Sequence, residues 1–162
     1  MIELARRCCI HALHERPNQL AVDVGQPVRL RAVDQFWNRV PGIGDRVSLT
    51  STDLFAAMPA ETTLANGELL LPVRLFRAGL QTITAADVSQ SGISPHTSSP
   101  IPVEGGPYSR VVITVDGQSL APGTPNGQYP NPGPEQSINF TFKATVHATD
   151  SWFNPVSGAT DR

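Results

Sequence analysis

Alternation of apolar and polar residues recurs along this chain at a period of two, which predicts strands with one face in a core and one in water. The longest such run is 138–149, where Ile138, Phe140, Phe142, Ala144, Val146 and Ala148 alternate with polar residues, His147 among those facing outward. Val28–Val33 carries the same pattern, and Val28, Leu30 and Ala32 align with Ala144, Val146 and Ala148. Arg46–Ser51 turns Val47 and Leu49 inward, Glu68–Phe76 turns Leu69, Leu71, Val73 and Leu75, and Gln81–Asp87 turns Ile83 and Ala85. Arg110–Val115 places Val111, Ile113 and Val115 on one face. Asn66-Gly67 and Ala78-Gly79 are turn signals between these runs. Pro72 marks its strand as an edge or a bulge. No helical pattern follows residue 20, so the chain reads as all-β, with a β-sandwich as the architecture.

The pattern is also duplicated. Residues 31–46 and 147–162, 116 positions apart, agree at seven places: Ala32/Ala148, Asp34/Asp150, Asn38/Asn154, Val40/Val156, Gly42/Gly158, Asp45/Asp161 and Arg46/Arg162. Between acid and Asn each copy carries a Phe and a Trp, as Phe36-Trp37 and then Trp152-Phe153. Spaced self-similarity of this kind marks a repeated structural unit. The second copy ends where the first still has most of its strands to come, which predicts an incomplete second unit with the face of Ile138, Phe140, Phe142 and Val146 uncovered. The units are drawn as an atypical N-terminal extension over 1–19, a first domain over 20–90, a linker over 91–107 and part of a second domain over 108–162. Ser, Pro and Gly dominate residues 88–108, which are therefore expected to be the most protease-sensitive internal segment. Five prolines and four glycines in 117–136 predict a long loop at one pole of the second unit.

Bulk composition narrows the function. Fifteen Pro and thirteen Gly suit a chain of many turns, and 16% charged residues at net charge −2 leave no basic surface for nucleic acid. No apolar run reaches the roughly 18–20 residues of a membrane span. Adjacent Cys8 and Cys9 bridge each other only with severe strain, and neither copy of the repeat holds a cysteine. With His11 and His14 they suggest a soft-metal cluster, but no second ligand pair follows. Charged residues interrupt any signal-peptide core in the first fifteen positions.

The order Val-x-Leu-x-Ala-x-Asp-x-x-x-Asn-x-Val (Val28–Val40), Val-Ser-Leu-Thr-Ser-Thr-Asp (Val47–Asp53) and Ala-Gly-x-x-x-Ile-x-Ala-x-Asp (Ala78–Asp87) resembles bacterial immunoglobulin-like repeats of the invasin and filamin type. The resemblance covers residues 20–90 and 105–162, the second copy matching only the first part of the pattern. It implies immunoglobulin-like sandwiches arranged in tandem as stalks or adhesive modules, outside the cell or on its surface. It implies no enzyme activity, no cofactor and no catalytic residues. The implied partners are neighbouring domains of the same polypeptide, with other surface proteins or glycans besides. One departure stands out: Met1–Pro17 shows no counterpart of Arg110–Val115, so that opening strand is either absent or replaced by unrelated sequence.

Candidate chemistry is sparse. Asp34 and Asn38, repeated as Asp150 and Asn154 and joined by Asp45 and Asp161, offer oxygen ligands to Ca²⁺, which wants about 6–8 of them. Three side chains without a dense acidic run favour a turn-holding role instead, and no metal site is assigned. The aromatic pairs could stack on a sugar or on a partner, or cap the core, and packing is the preferred reading. No Gly-x-Ser-x-Gly elbow surrounds Ser91-Gly92 or Ser157-Gly158, and His96 sits in the expected linker. Asn139-Phe140-Thr141 fits a glycosylation sequon but falls inside the expected 138–149 strand. The expectation is a non-catalytic structural or adhesive repeat, and the alternative is an accessory carbohydrate-binding module of a secreted glycoside hydrolase with the aromatic corner as its platform.

Overall fold

The computed structural model describes residues 7–11, 20–90 and 92–157. These residues hold fourteen strands and no helix. In chain order the first seven are β1 (Arg7–His11), β2 (Leu20–Ala21), β3 (Gln26–Val33), β4 (Arg46–Ser51), β5 (Thr62–Thr63), β6 (Glu68–Val73) and β7 (Gly79–Gln81). There follow β8 (Ile83–Asp87), β9 (His96–Thr97), β10 (Ile101–Glu104), β11 (Arg110–Val115), β12 (Ser119–Leu120), β13 (Gln128–Tyr129) and β14 (Ala144–Thr149). They assemble as sheets β1-β3-β6, β5-β4-β8-β9 and β2-β10-β7, with the pairs β11-β14 and β12-β13.

The core sits between the first two sheets, in an arrangement consistent with a β-sandwich. Val28 and Leu30 of β3 pack in one cluster with Val47 and Leu49 of β4 and Ile83 and Ala85 of β8. Alternation produces this directly, because each strand contributes every second side chain to the inner face. The outer face of β3 is polar: Arg29 and Arg31 reach Glu68 of β6 at 2.7 and 3.5 Å, and Arg39 approaches it at 3.7 Å. Asn66 and Gly67, both at positive φ, turn the chain into β6. A Cβ on Gly67 would lie 2.1 Å from the Val40 carbonyl, so only glycine fits there. β6 is an edge strand of its sheet, where Pro72 gives up no ladder bond.

Three parts of the chain depart from the sequence expectations. The opening strand of the first copy is present as β1: Arg7 pairs with Val33 and His11 with Arg29, matching the pairing of Arg110 with Thr149 and Thr114 with Thr145. Backbone pairing to β3 asks for extended residues and not for a particular motif, so Arg7–His11 pairs there without the alternation of Arg110–Val115. Within the stretch read as linker, β9 joins β8 and β10 joins β2 and β7, and Val103 enters the core cluster. Local composition hid this, since two short strands surrounded by Ser and Pro show no periodicity of their own.

The third departure concerns residues 138–149. Only 144–149 form a strand, since β11 ends at Val115, whose partner is Ala144, and no ladder continues beyond it. At that end the Asp116 carboxylate accepts the Lys143 N–H at 2.9 Å. Burial also falls on the opposite face from the one expected. Val112, Thr114 and Thr149 are buried, whereas Ile113 is 54% exposed, Val146 66% and Ile138 87%. His147, expected to face water, is half-buried with Nε2 2.9 Å from the Thr114 hydroxyl.

The repeated corner as candidate site

The two copies of the Asp-x-aromatic-aromatic-Asn motif fold the same way, bond for bond. In the first, Asp34 Oδ1 accepts the Phe36 N–H at 2.8 Å and the Asn38 N–H at 2.9 Å, and Oδ2 accepts the Asn38 side-chain N–H at 3.1 Å. In the second, Asp150 Oδ1 accepts from the backbone of Trp152 and Asn154 at 2.8 and 2.9 Å, and Oδ2 from the Asn154 side chain at 2.9 Å. Trp37 and Phe153 hold equivalent places at φ 69° and 63°. The Asp34 N–H donates to the Asn38 carbonyl, as the Asp150 N–H does to that of Asn154. An acid that can accept several N–H groups at once is what closes such a corner. Asp34 is held below the ordinary aspartate pKa chiefly by the Asn38 side-chain N–H and then by the Asn38 backbone N–H; desolvation opposes them, and the Phe36 N–H adds the least.

Their surroundings differ. Asp150 and Asn154 are 0% exposed, and the second corner grips the turn that follows β6. Asn154 Oδ1 accepts the Ala78 N–H at 2.8 Å and its Nδ2 donates to the Phe76 carbonyl at 2.9 Å. The Trp152 ring stacks on Phe76 with centroids 3.9 Å apart, and its carbonyl accepts the Gly123 N–H at 2.7 Å. The Gly106 N–H donates to Asp150 Oδ2 at 2.8 Å, so the chain leaving β10 passes against the same carboxylate. Gly127, at φ 70°, leaves room for the Phe153 ring, which also lies 4.8 Å beneath the Arg110 guanidinium.

The gripped turn is built from within the first copy. Asp53 is buried, and its Oδ2 accepts the N–H groups of Phe76 and Arg77 at 2.5 and 2.9 Å. Neither Asp53 nor Phe76 stands out in the sequence as a site residue. Asp53 ends the Val47–Asp53 motif, but its partner lies 23 residues away, and nothing local announces that pairing. The first corner is in the opposite situation: Asn38 is exposed, Phe36 is 72% exposed, and the Trp37 ring meets His96 edge-on at 5.3 Å.

The remaining candidates do not gather into one place. Both Asp45 carboxylate oxygens accept from Gln90 Nε2, at 3.1 and 3.0 Å, away from the Asp34 carboxylate's donors. Asp161, Arg162, His14 and Ser91 lie outside the described residues, as does Gly158. The sequon residue Asn139 is exposed at φ 65° and belongs to no strand, contrary to the expectation that discounted it. Among the described residues no three His, Cys, Asp or Glu side chains form a potential metal cluster. No helix among them is long and apolar enough to cross a membrane. What the corners can do chemically is hold a tight turn and present an amide and an aromatic ring to another backbone. Comparison of the chain with protein-family models, with curated proteins and with solved structures returns no match.

Proposed function

We propose that this chain is a non-catalytic, structural or adhesive segment of tandem immunoglobulin-like repeats, working outside the cell or at its surface by spacing or presenting neighbouring domains. The observation that supports it is the equivalence of the two corners, one of which is clamped onto the body of the other repeat by Asn154 and Trp152. A spacer needs joints that hold their geometry. Buried amide-to-backbone bonds fix orientation in a way that an apolar contact alone does not. Small-angle scattering of the full chain tests this: a narrow distribution of distances between the two halves is expected, broadening when Asn154 and Trp152 are both replaced by Ala. Halves that already move freely in the wild type would defeat the spacer reading. The exposed Phe36-Trp37 pair favours one second reading, an accessory carbohydrate-binding module. It requires retention on an insoluble polysaccharide that Phe36→Ala abolishes.

A further inference from the structure

The structure shows one corner at work and its twin idle. We propose that the exposed Asp34–Asn38 corner is a docking surface for the Leu75–Ala78 turn of another unit of this repeat, gripped as Asp150–Asn154 grips that turn within the chain. The proposal rests on the tandem-repeat reading above.

Three observations carry it. First, the bonds within the two corners match, so the residues two and four places after the acid leave the backbone in the same directions. Phe36 thus stands where Trp152 stacks, and Asn38 where Asn154 bonds. Second, the groups that Asn154 uses are unspent on Asn38. Among the described residues none donates to Asn38 Oδ1, and Nδ2 bonds only Asp34. Third, the complementary surface is known in atomic detail: a carbonyl at Phe76, an N–H two residues on at Ala78, and an aromatic ring for stacking. Asp53 already holds the N–H groups of Phe76 and Arg77, so the turn is preorganised for a partner amide. Trp37 is not needed for this contact, because its equivalent, Phe153, faces Arg110 rather than the turn.

The occupant is therefore a repeat unit with a vacant turn. In this chain the turn is filled by its own Asn154, so identical copies do not chain together through the contact. A donor of the vacant turn can be made by combining Asn154→Ala and Trp152→Ala with Asn38→Ala, which also silences the donor's own corner. Mixed with wild type, this donor is expected to add one 17.4 kDa chain to the mass of the wild-type species in sedimentation. Replacing wild type by a Phe36→Ala/Asn38→Ala chain should weaken that complex at least tenfold. A milder donor that keeps Trp152 covers the case in which the first unfolds. Should both unfold, an Asn154→Ser/Asn38→Ala donor takes their place, its binding read by shifts of the wild-type Asn38 side-chain amide in NMR.

No complex, or a complex indifferent to Asn38 and Phe36, overturns the proposal. Retention on polysaccharide through Phe36 without a protein complex overturns it as well and assigns the surface to sugar. Scattering separates the two levels of failure. If the donor loosens between its halves yet binds no wild type, the inference alone falls. If the donor keeps the wild-type distances, the grip does not join the units and the tandem reading falls with it.

Discussion

The strands β3 and β14 carry the same alternation and meet opposite fates. Val28, Leu30 and Ala32 are buried, while their counterparts Ala144 and Val146 face water and Ala148 is only half-covered. The corners that follow are reversed: Asp34–Asn38 lies open, and Asp150–Asn154 is sealed against the first copy. A strand's pattern states which face is fit for burial, and a second layer decides whether burial happens. For β3 that layer is β4 and β8; for β14 no described residue provides one. Corners follow the same logic, since identical internal bonds leave the outer face to whatever lies beside it.

The largest effect should come from the apolar faces. Leu30→Ala empties a fully buried position and is expected to cost about 2–5 kcal/mol in chemical denaturation. Val146→Ala on the exposed face should change stability by less than about 0.5 kcal/mol. Similar losses at both positions would erase the contrast. Exposed Ile113 and Val146 also invite association, so replacing both by Lys should lower any concentration-dependent self-association of the chain.

The corners sharpen the comparison at a smaller scale. Asn154→Ala strands the Ala78 N–H and the Phe76 carbonyl in a buried place, and about 2–3 kcal/mol is expected. Asn38→Ala exposes its partners to water and should cost about 0.5–1 kcal/mol. Equal penalties would mean that the second corner is not the clamped one. Asp34→Ala is expected to lower the melting temperature, by the same amount with or without calcium.

Proteolysis and pH give the finest tests. β9 and β10 lie within the segment expected to be cleaved, so early cutting should shift to 130–143, the longest strand-free stretch described after β10. Fragments ending inside 101–104 would contradict the pairing of β10. Asp34 has a folded pKa below its ordinary value, so its contribution is complete at pH above that value and lost as pH falls through the depressed one. An Asp34→Asn chain should lack this step in a denaturation series taken into acid.

Much of the first copy was readable from residue pattern alone. The limits of β4, the inward residues of β4, β6 and β8, and the Asn66-Gly67 turn follow from period-two alternation and local backbone preference, which act over a few residues. The repeated corner was visible too, because Asp-to-backbone bonds of this kind close within four positions. What stayed hidden has its cause at long range. β1 pairs through a backbone that any extended sequence can supply, and β10 enters the core from a stretch with no periodicity. Residues 138–143 show strong alternation but lie beyond the last partner residue of β11.

The sequence by itself determined which faces are apolar, where the turns fall and that one corner occurs twice. Only the tertiary structure decided which face is covered and which corner is gripped. Those outcomes depend on partners 39 to 78 residues away, such as Glu68 for Arg29 and Phe76 for Asn154, and no local pattern encodes such a pairing. Local preferences are set by neighbours in sequence, whereas burial belongs to neighbours in space.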